Sequence, residues 1–318
     1  MVNQIVIAKV NIMYQIVKND DNGVRLDRWL KENLQDITYV EIQKLIRTGQ
    51  VRVDGGRKKQ NYRVNSGEKV RFPPKFTKMN IDINKNMPKN MAFNLEEIKI
   101  YEDDSLIVIN KPYGLSTQGG TRVKYHIDGL LSTENENGKN NYRLVHRLDK
   151  YTSGALIVAK KRESASFYAK KFLSKQIKKT YLALTSGVPD IKTGMVSFPL
   201  EKLNLKKISK DQDQFQDAVT QYEVIETTKD RVSLIKLEPI TGRKHQIRRH
   251  LSMLNTPIIG DAKYGNDDAL ENTEKRFYLH AYKIEFPRYS DGQSILIKAE
   301  IPQYFGEAMS SLGIQFNE

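Results

Sequence analysis

The chain has 318 residues, 39% hydrophobic and 28% charged, long enough to bury a sizeable core in one large domain or two unequal ones. It contains no cysteine, which excludes disulfides, thiolate catalysis and cysteine-bound zinc, and no run approaching the roughly 18 apolar residues of a membrane helix. Its 52 Lys and Arg outnumber 38 Asp and Glu for a net charge of +14, which points to a polyanionic partner, nucleic acid being the commonest; a generally lysine-rich surface is the alternative. The run Gln4–Ala8 stops at Lys9 without a small-residue cleavage pattern, so it does not read as a signal peptide. A cytoplasmic location follows by default.

Residues 13–75 hold 14 Lys and Arg against 8 Asp and Glu, so the positive excess is concentrated at the N-terminal end. There Leu26, Trp29, Leu30 and Leu34 fall on one helical face. A second helix opens at Thr38, with Glu41 three residues on as a capping box, and runs through Ile42, Leu45 and Ile46 to a stop at Gly49. Two short strands follow, Val51–Val53 and Lys69–Phe72, with a turn at Asp54-Gly55-Gly56 and a basic tip at Arg57-Lys58-Lys59. The result is a small α/β module. Its helix surface bearing Arg28, Lys44 and Arg47 is set to face phosphates, the alternative being a solvated charged face. Residues 76–92 are rich in Asn and Lys, lack periodicity and read as a linker.

From 93 to 318 strands dominate. They are read at Ser105–Asn110, Gly154–Lys160, Tyr181–Thr185, Val219–Ile225, Val232–Glu238, Tyr278–Phe286 and Ile295–Ile301. Ser164–Ile177 is an amphipathic helix whose stripe, Phe167, Tyr168, Phe172, Leu173 and Ile177, is read as core. Lys244–Leu254 is a further helix. Strands broken by helices without regular βαβ alternation predict an α+β fold with a mixed sheet.

Several chemistries are absent. There is no G-x-G-x-x-G after a strand, no Walker sequence and no H-E-x-x-H, and the histidines at 126, 146, 245, 250 and 280 show no metal-ligand spacing. A Rossmann-type methyltransferase and metal catalysis are therefore disfavoured. Two polar runs stand out. In Val145–Gly154, Asp149 lies among basic residues just before an apolar strand. Such surroundings keep a carboxylate ionised, and an ionised carboxylate held against a ribose carbon can act as a nucleophile; on spacing alone a turn Asp bonding its own backbone is the simpler reading. In Thr241–Leu251, helical geometry groups Lys244, Ile247, Arg248 and Leu251 on one face. That helix is either a phosphate-binding surface or the source of a buried Arg that pairs with a carboxylate.

The N-terminal module resembles the αL RNA-binding domain first described in a small-subunit ribosomal protein. The likeness covers about fifty residues and rests on Arg25-Leu26-Asp27, Gln43–Arg47 and Gly49–Gly55. His146-Arg147-Leu148-Asp149-Lys150 with Thr152-Ser153-Gly154 resembles the active-site signature of the RluA-type pseudouridine synthases. Other runs resemble that family's motifs in the same order: Lys111–Leu115, Lys179–Ala183, Thr241–Leu251, Pro257–Asp261 with Tyr264-Gly265, and Leu279-His280-Ala281. The match spans about Glu97 to Pro302. With the N-terminal module and the Gln118-Gly119-Gly120 loop, it is nearest to the branch acting on large-subunit ribosomal RNA. Tyr151 and Lys244 depart from the family's usual residues.

The resemblance implies a pseudouridine synthase fold with a mixed, largely antiparallel sheet and flanking helices, and domains at 13–75 and 93–318. It implies an isomerisation without cofactor or metal, in which the uracil–ribose bond breaks and the base reattaches through carbon 5. Asp149 is then the essential carboxylate, attacking the ribose or helping remove a proton from it. Arg248 is expected to pair with Asp149, and Tyr181 to pack on the flipped base with its hydroxyl available for proton transfer. Arg147 is expected to fill the gap left by the flipped nucleotide, and Arg243 to contact RNA. Lys111, Gly114, Gly242 and Gly260 are expected to be structural. The expected partner is RNA, 23S ribosomal RNA ahead of transfer RNA, bound by a monomer away from membranes. An inactive ribosome-assembly factor is the competing reading, and the intact Asp149, Tyr181 and Arg248 argue against it.

Overall fold

The structure, a computed structural model, describes residues 13–34, 37–74, 94–119, 123, 125–136, 141–202, 215–229, 231–265 and 276–316. The chain divides into two compact units, Met1–Lys85 and Asn86–Glu318. The linker expected at 76–92 lies outside the described residues.

The first unit places β1 (Met13–Ile16), α1 (Leu26–Asn33), α2 (Tyr39–Arg47), β2 (Arg52–Val53) and β3 (Lys69–Phe72) around one core. The strands form an antiparallel sheet in the order β1-β3-β2. α2 starts where the sequence predicts: the Thr38 hydroxyl accepts the Glu41 N–H at 3.2 Å and the Glu41 carboxylate accepts the Thr38 N–H at 2.8 Å. Trp29, Leu26 and Leu30 of α1 meet Ile42 of α2 and Val70 of β3, all fully or almost fully buried. The Trp29 indole N–H is satisfied by Asp21 at 3.2 Å, so its large apolar area is buried without stranding a donor. β1 escaped the sequence reading because its residues are mostly exposed and carry no alternation.

The second unit runs α3 (Leu95–Ile98), β4 (Lys99–Glu102), β5 (Leu106–Lys111), α4 (Ile127–Glu136), β6 (Arg143–Leu144), β7 (Ser153–Ala159), α5 (Arg162–Leu173), β8 (Lys178–Ser186), β9 (Thr193–Ser197), β10 (Leu200–Glu201), β11 (Phe215–Gln216), β12 (Val219–Thr227), β13 (Val232–Pro239), α6 (Gln246–Met253), β14 (Leu279–Pro287), β15 (Ser294–Lys298) and α7 (Gln303–Ser311). Its main sheet has the order β4-β5-β7-β14-β8-β13-β12-β9, with β15 on β14 and β6 on β7. Among the strands of the described residues only β7 and β14 pair in parallel. This is the mixed, largely antiparallel α+β architecture. β7 is buried along its whole length, as an apolar run in mid-sheet requires. α5 ends at Leu173 instead of continuing to Ile177, because Lys175 takes a left-handed conformation. Leu173, expected in the core, is consequently 84% exposed.

The parallel contact demands a glycine. Gly154 has φ +110°, and a Cβ there would lie 2.3 Å from the Ala281 carbonyl oxygen. Gly154→Ala is expected to lower unfolding free energy by about 3 kcal/mol, through backbone strain and overpacking together. Urea denaturation measures this, and an unchanged midpoint would show that the β7–β14 contact does not need the missing side chain.

Candidate active site

The loop carrying Asp149 is fastened by groups that precede it in the chain. Lys111, at the end of β5, is completely buried. Its Nζ donates to the carbonyls of Leu115 at 2.7 Å, Pro112 at 2.9 Å and Lys150 at 3.2 Å, while burial pulls its amine down to about 7. The buried Thr117 hydroxyl donates to the Leu148 carbonyl at 2.7 Å and accepts the Leu148 N–H at 3.1 Å. Asp149 thus has an anchored backbone neighbour on each side. His146 is a structural member of the motif: Nε2 accepts the Ile157 N–H at 2.8 Å, the ring lies on Phe172, and burial pushes its pKa down to about 3.

The turn before α6 is locked by Gln246. Its Oε1 accepts the Thr241 hydroxyl at 2.7 Å and the Arg243 N–H at 3.0 Å, and its Nε2 donates to the Val219 carbonyl and the Thr220 hydroxyl, both at 2.9 Å. The helix therefore begins at Gln246 and Lys244 lies ahead of it, off the face it was expected to share with Arg248. Gly242 has neither a positive φ nor a close neighbour, so nothing local requires glycine there, whereas Gly114 and Gly260 both have positive φ.

Arg248 lies beside Asp149 as expected, at ion-pair range, but a second acid takes its hydrogen bonds. Its hydrogen-bonded partner is Asp261: Nε reaches Oδ2 at 2.7 Å and Nη2 reaches Oδ1 at 2.6 Å. Asp149 Oδ2 lies 3.8 Å from Nη1, an ion pair beyond hydrogen-bond length. The guanidinium also stacks over Tyr264 and Phe277, with ring centroids at 5.0 and 5.2 Å. Asp261 Oδ1 further accepts the N–H groups of Lys263 and Tyr264 at 3.0 and 3.1 Å. Burial pushes the Asp261 carboxyl up, but these donors outweigh it and hold the group below the usual carboxylate range. The turn that delivers Asp261 needs Gly260, where φ is +76° and a Cβ would meet the Arg276 carbonyl oxygen at 2.0 Å.

Tyr181 lies on β8 between β13 and β14, and its side chain is almost wholly buried. Burial first, then the Asp149 charge, raises the phenol above its ordinary pKa. A cavity of about 440 Å³ brings Asp149, Tyr181, Arg248, Arg147, Arg243 and Lys179 together. A second cavity of about 520 Å³ shares Asp149, Arg147, Arg248 and His245 with the first and adds Gln118 and Lys263. Arg147 is exposed where it lines both. Arg243 lies at the surface, its Nε donating to the Asp217 carbonyl at 2.9 Å. Lys179, two residues before Tyr181 and on the same strand face, has its amine pulled down by burial. In the N-terminal unit Lys44 and Arg47 line a groove with Arg25 and Lys59. Arg28 does not line it, and its guanidinium pairs with Glu32 at 2.9 Å.

Asp261, His245 and Lys179 were missed by sequence reasoning. Asp261 carried a usable signal, an acid directly after a glycine turn and downstream of a cation-rich helix. His245 carried none beyond its place in the run.

Comparison with known proteins gives a consistent result. A family described as RNA pseudouridylate synthase matches residues 105–253, and the S4 domain family matches residues 24–70. A Rickettsia conorii protein named ribosomal large subunit pseudouridine synthase C is 37% identical over 294 residues, covering 88% of this chain and 95% of that protein. A Vibrio parahaemolyticus protein of the same name is 32% identical over 296 residues, covering 92% and 93%. The solved structure of human RNA pseudouridylate synthase domain containing 4 is similar over 70% of this chain and 96% of that one, at 28% identity and a TM-score of 0.60.

The Asp261 fork generates a test. Asp261→Asn is expected to cost about 3 kcal/mol, because a buried guanidinium loses its charged partner. Since the folded-state pKa of Asp261 is depressed, its contribution is fully present above the unfolded value near pH 3.9 and is lost as pH falls through the lower folded value. Urea denaturation between pH 3 and 6 should therefore show a gap between wild type and variant that narrows toward acid. A gap independent of pH would mean the carboxylate charge is not what holds Arg248.

Proposed function

Because the chain belongs to the RNA pseudouridylate synthase family, we propose that it isomerises uridines of large-subunit ribosomal RNA to pseudouridine, with Asp149 as the reacting carboxylate. The observation that carries the assignment of Asp149 is its position in a cavity wall with the Tyr181 phenol and the Arg248 guanidinium. The names of the relatives support the large ribosomal subunit as target.

The proposed chemistry needs only what the cavity offers. Breaking the uracil–ribose bond and rejoining it through carbon 5 moves atoms within one nucleotide, with no oxidant, reductant or transferred group. Asp149 meets the ribose. Arg248, unable to deprotonate and tied to Asp261, supplies a fixed positive charge beside it. The Tyr181 ring packs on the base, and its hydroxyl, held protonated by burial, is a proton carrier at carbon 5. The uridine reaches this depth only when flipped out of its stem, and the exposed Arg147 braces the gap. Residues 13–75 dock the RNA through Arg25, Lys44, Arg47 and Lys59, with the exposed Arg28 a further contact, while residues 93–318 carry the chemistry, with Arg243 contacting RNA at the rim of their own cavity, as a monomer without metal or cofactor.

Asp149→Asn is expected to lower tritium release from RNA labelled at carbon 5 of uridine by at least about 100-fold, while filter binding of the same RNA holds or tightens slightly because a negative charge is gone. Release at the wild-type rate would defeat the assignment. Pseudouridine mapping in cells lacking the gene should show losses in large-subunit ribosomal RNA, and losses confined to transfer RNA would overturn the target. Deleting residues 1–90 should weaken RNA binding and flatten its salt dependence by roughly 0.7–0.9 in log–log slope per lost phosphate contact; an unchanged slope would rule out a docking role.

A further inference from the structure

Asp149 has a second nitrogen beside it. His245 Nε2 lies 3.8 Å from Asp149 Oδ2, the same oxygen that Arg248 Nη1 approaches at 3.8 Å. The opposite nitrogen, Nδ1, hydrogen-bonds the Tyr264 hydroxyl at 3.0 Å, and the two rings meet edge to face at 5.6 Å. Holding the imidazole there has a backbone cost. His245 caps α6 at φ 55° and ψ 28°, where a helix cap ordinarily has an extended conformation. A left-handed non-glycine residue persists only when its surroundings over-determine it, and such residues cluster at working sites. Here the Gln246 bonds to Thr241 and Arg243 pin the turn.

Resting on the function proposed above, we propose that His245 is a positioning residue: its Nε2–H, in a tautomer set by the Tyr264 hydroxyl, is the second donor that grips Asp149 Oδ2 when the site closes on a uridine. The tautomer follows from electrostatics. A neutral imidazole has one donor and one acceptor nitrogen. Were Nδ1 the donor, to the Tyr264 oxygen, Nε2 would turn a lone pair toward the Asp149 carboxylate. Placing the hydrogen on Nε2 replaces that repulsion with an attraction, and the Tyr264 hydroxyl then donates to Nδ1. The ring stays neutral because burial and the nearby cations Arg248, Lys263 and Lys244 outweigh the pull of Asp149. Asp261 lies across the guanidinium with its charge already spent on Arg248. The 3.8 Å separation is about 1 Å longer than a hydrogen bond, and catalytic hydrogen bonds commonly tighten only around substrate. With both donors addressed to Oδ2, Oδ1 is the oxygen presented to the ribose. Tyr264 braces both donors, one by its hydroxyl and one under its ring face.

The test uses the full chain, tritium release from RNA labelled at carbon 5 of uridine, and three variants measured for kcat, KM and thermal unfolding. Asn tolerates the left-handed conformation but is too short to reach Asp149. Gln carries an amide nitrogen out to the position of Nε2. His245→Asn should lower kcat about 10- to 100-fold, the worth of one charge-assisted hydrogen bond, with KM changed less than about threefold. His245→Gln should recover about tenfold of that loss, and Tyr264→Phe should lower kcat several-fold without shifting the melting temperature. An unimpaired His245→Asn beside an active wild type overturns this role alone. A loss that Gln fails to recover, accompanied by a lower melting temperature and a raised KM, overturns it in favour of a packing role. A wild type that releases no tritium, with RNA bound, overturns the function and this role with it.

Discussion

The second unit is organised around one two-pronged ion pair, Arg248 on Asp261. Arginine cannot relieve burial by losing its proton, so a guanidinium this enclosed must bring its own carboxylate. Meeting that demand fixes much else. Gly260 must be glycine for Asp261 to arrive, the Lys263 and Tyr264 amides must point at the same oxygen, and α6 must begin where Gln246 locks it. With Nε and Nη2 of the guanidinium committed to Asp261, Nη1 is left toward Asp149. The carboxylate of the pair is thus scaffold, and the carboxylate at longer range, approached only at Oδ2, keeps Oδ1 for chemistry.

The sheet brings Asp149 and Tyr181 together through a single strand. Ala281 of β14 pairs with Gly154 of β7 on one edge and with Tyr181 of β8 on the other. Two strand spacings of about 4.8 Å separate the backbone that follows the Asp149 loop from the backbone that carries the phenol. Residues far apart in sequence become neighbours because β14, the last long strand, inserts between two earlier ones. That insertion is also the one parallel junction among the described strands.

How much of this was legible in the sequence depended on whether the signal was local. The capping box at Thr38 and Glu41, the apolar run of β7 and the polar run around Asp149 are short-range patterns, and each lies where it was read. Pairing across the fold and the ends of helices were legible only in part. The pairing of Arg248 with Asp149 that the resemblance implies is present only at ion-pair range, and the partner that takes its hydrogen bonds is a buried acid thirteen residues on. Lys244 was placed on the helix because periodicity cannot see that a glutamine side chain ends the preceding turn. Leu173 was put in the core because the apolar stripe continues past the point where Lys175 breaks the helix. Arg28 is grouped with Lys44 and Arg47 by charge alone, and in the fold it lies outside the groove they line, beside Glu32 one turn on.

Lys111 shows what a buried amine does to the loop it holds. Three carbonyls need three hydrogens, and only the ammonium form has them. Burial draws its titration toward neutrality, and losing its one acidic proton would leave two donors for three carbonyls, the longest bond, to Lys150, being the weakest of the set. The loop after Asp149 is therefore held by an ammonium, and the third of its bonds exists only while that proton is in place.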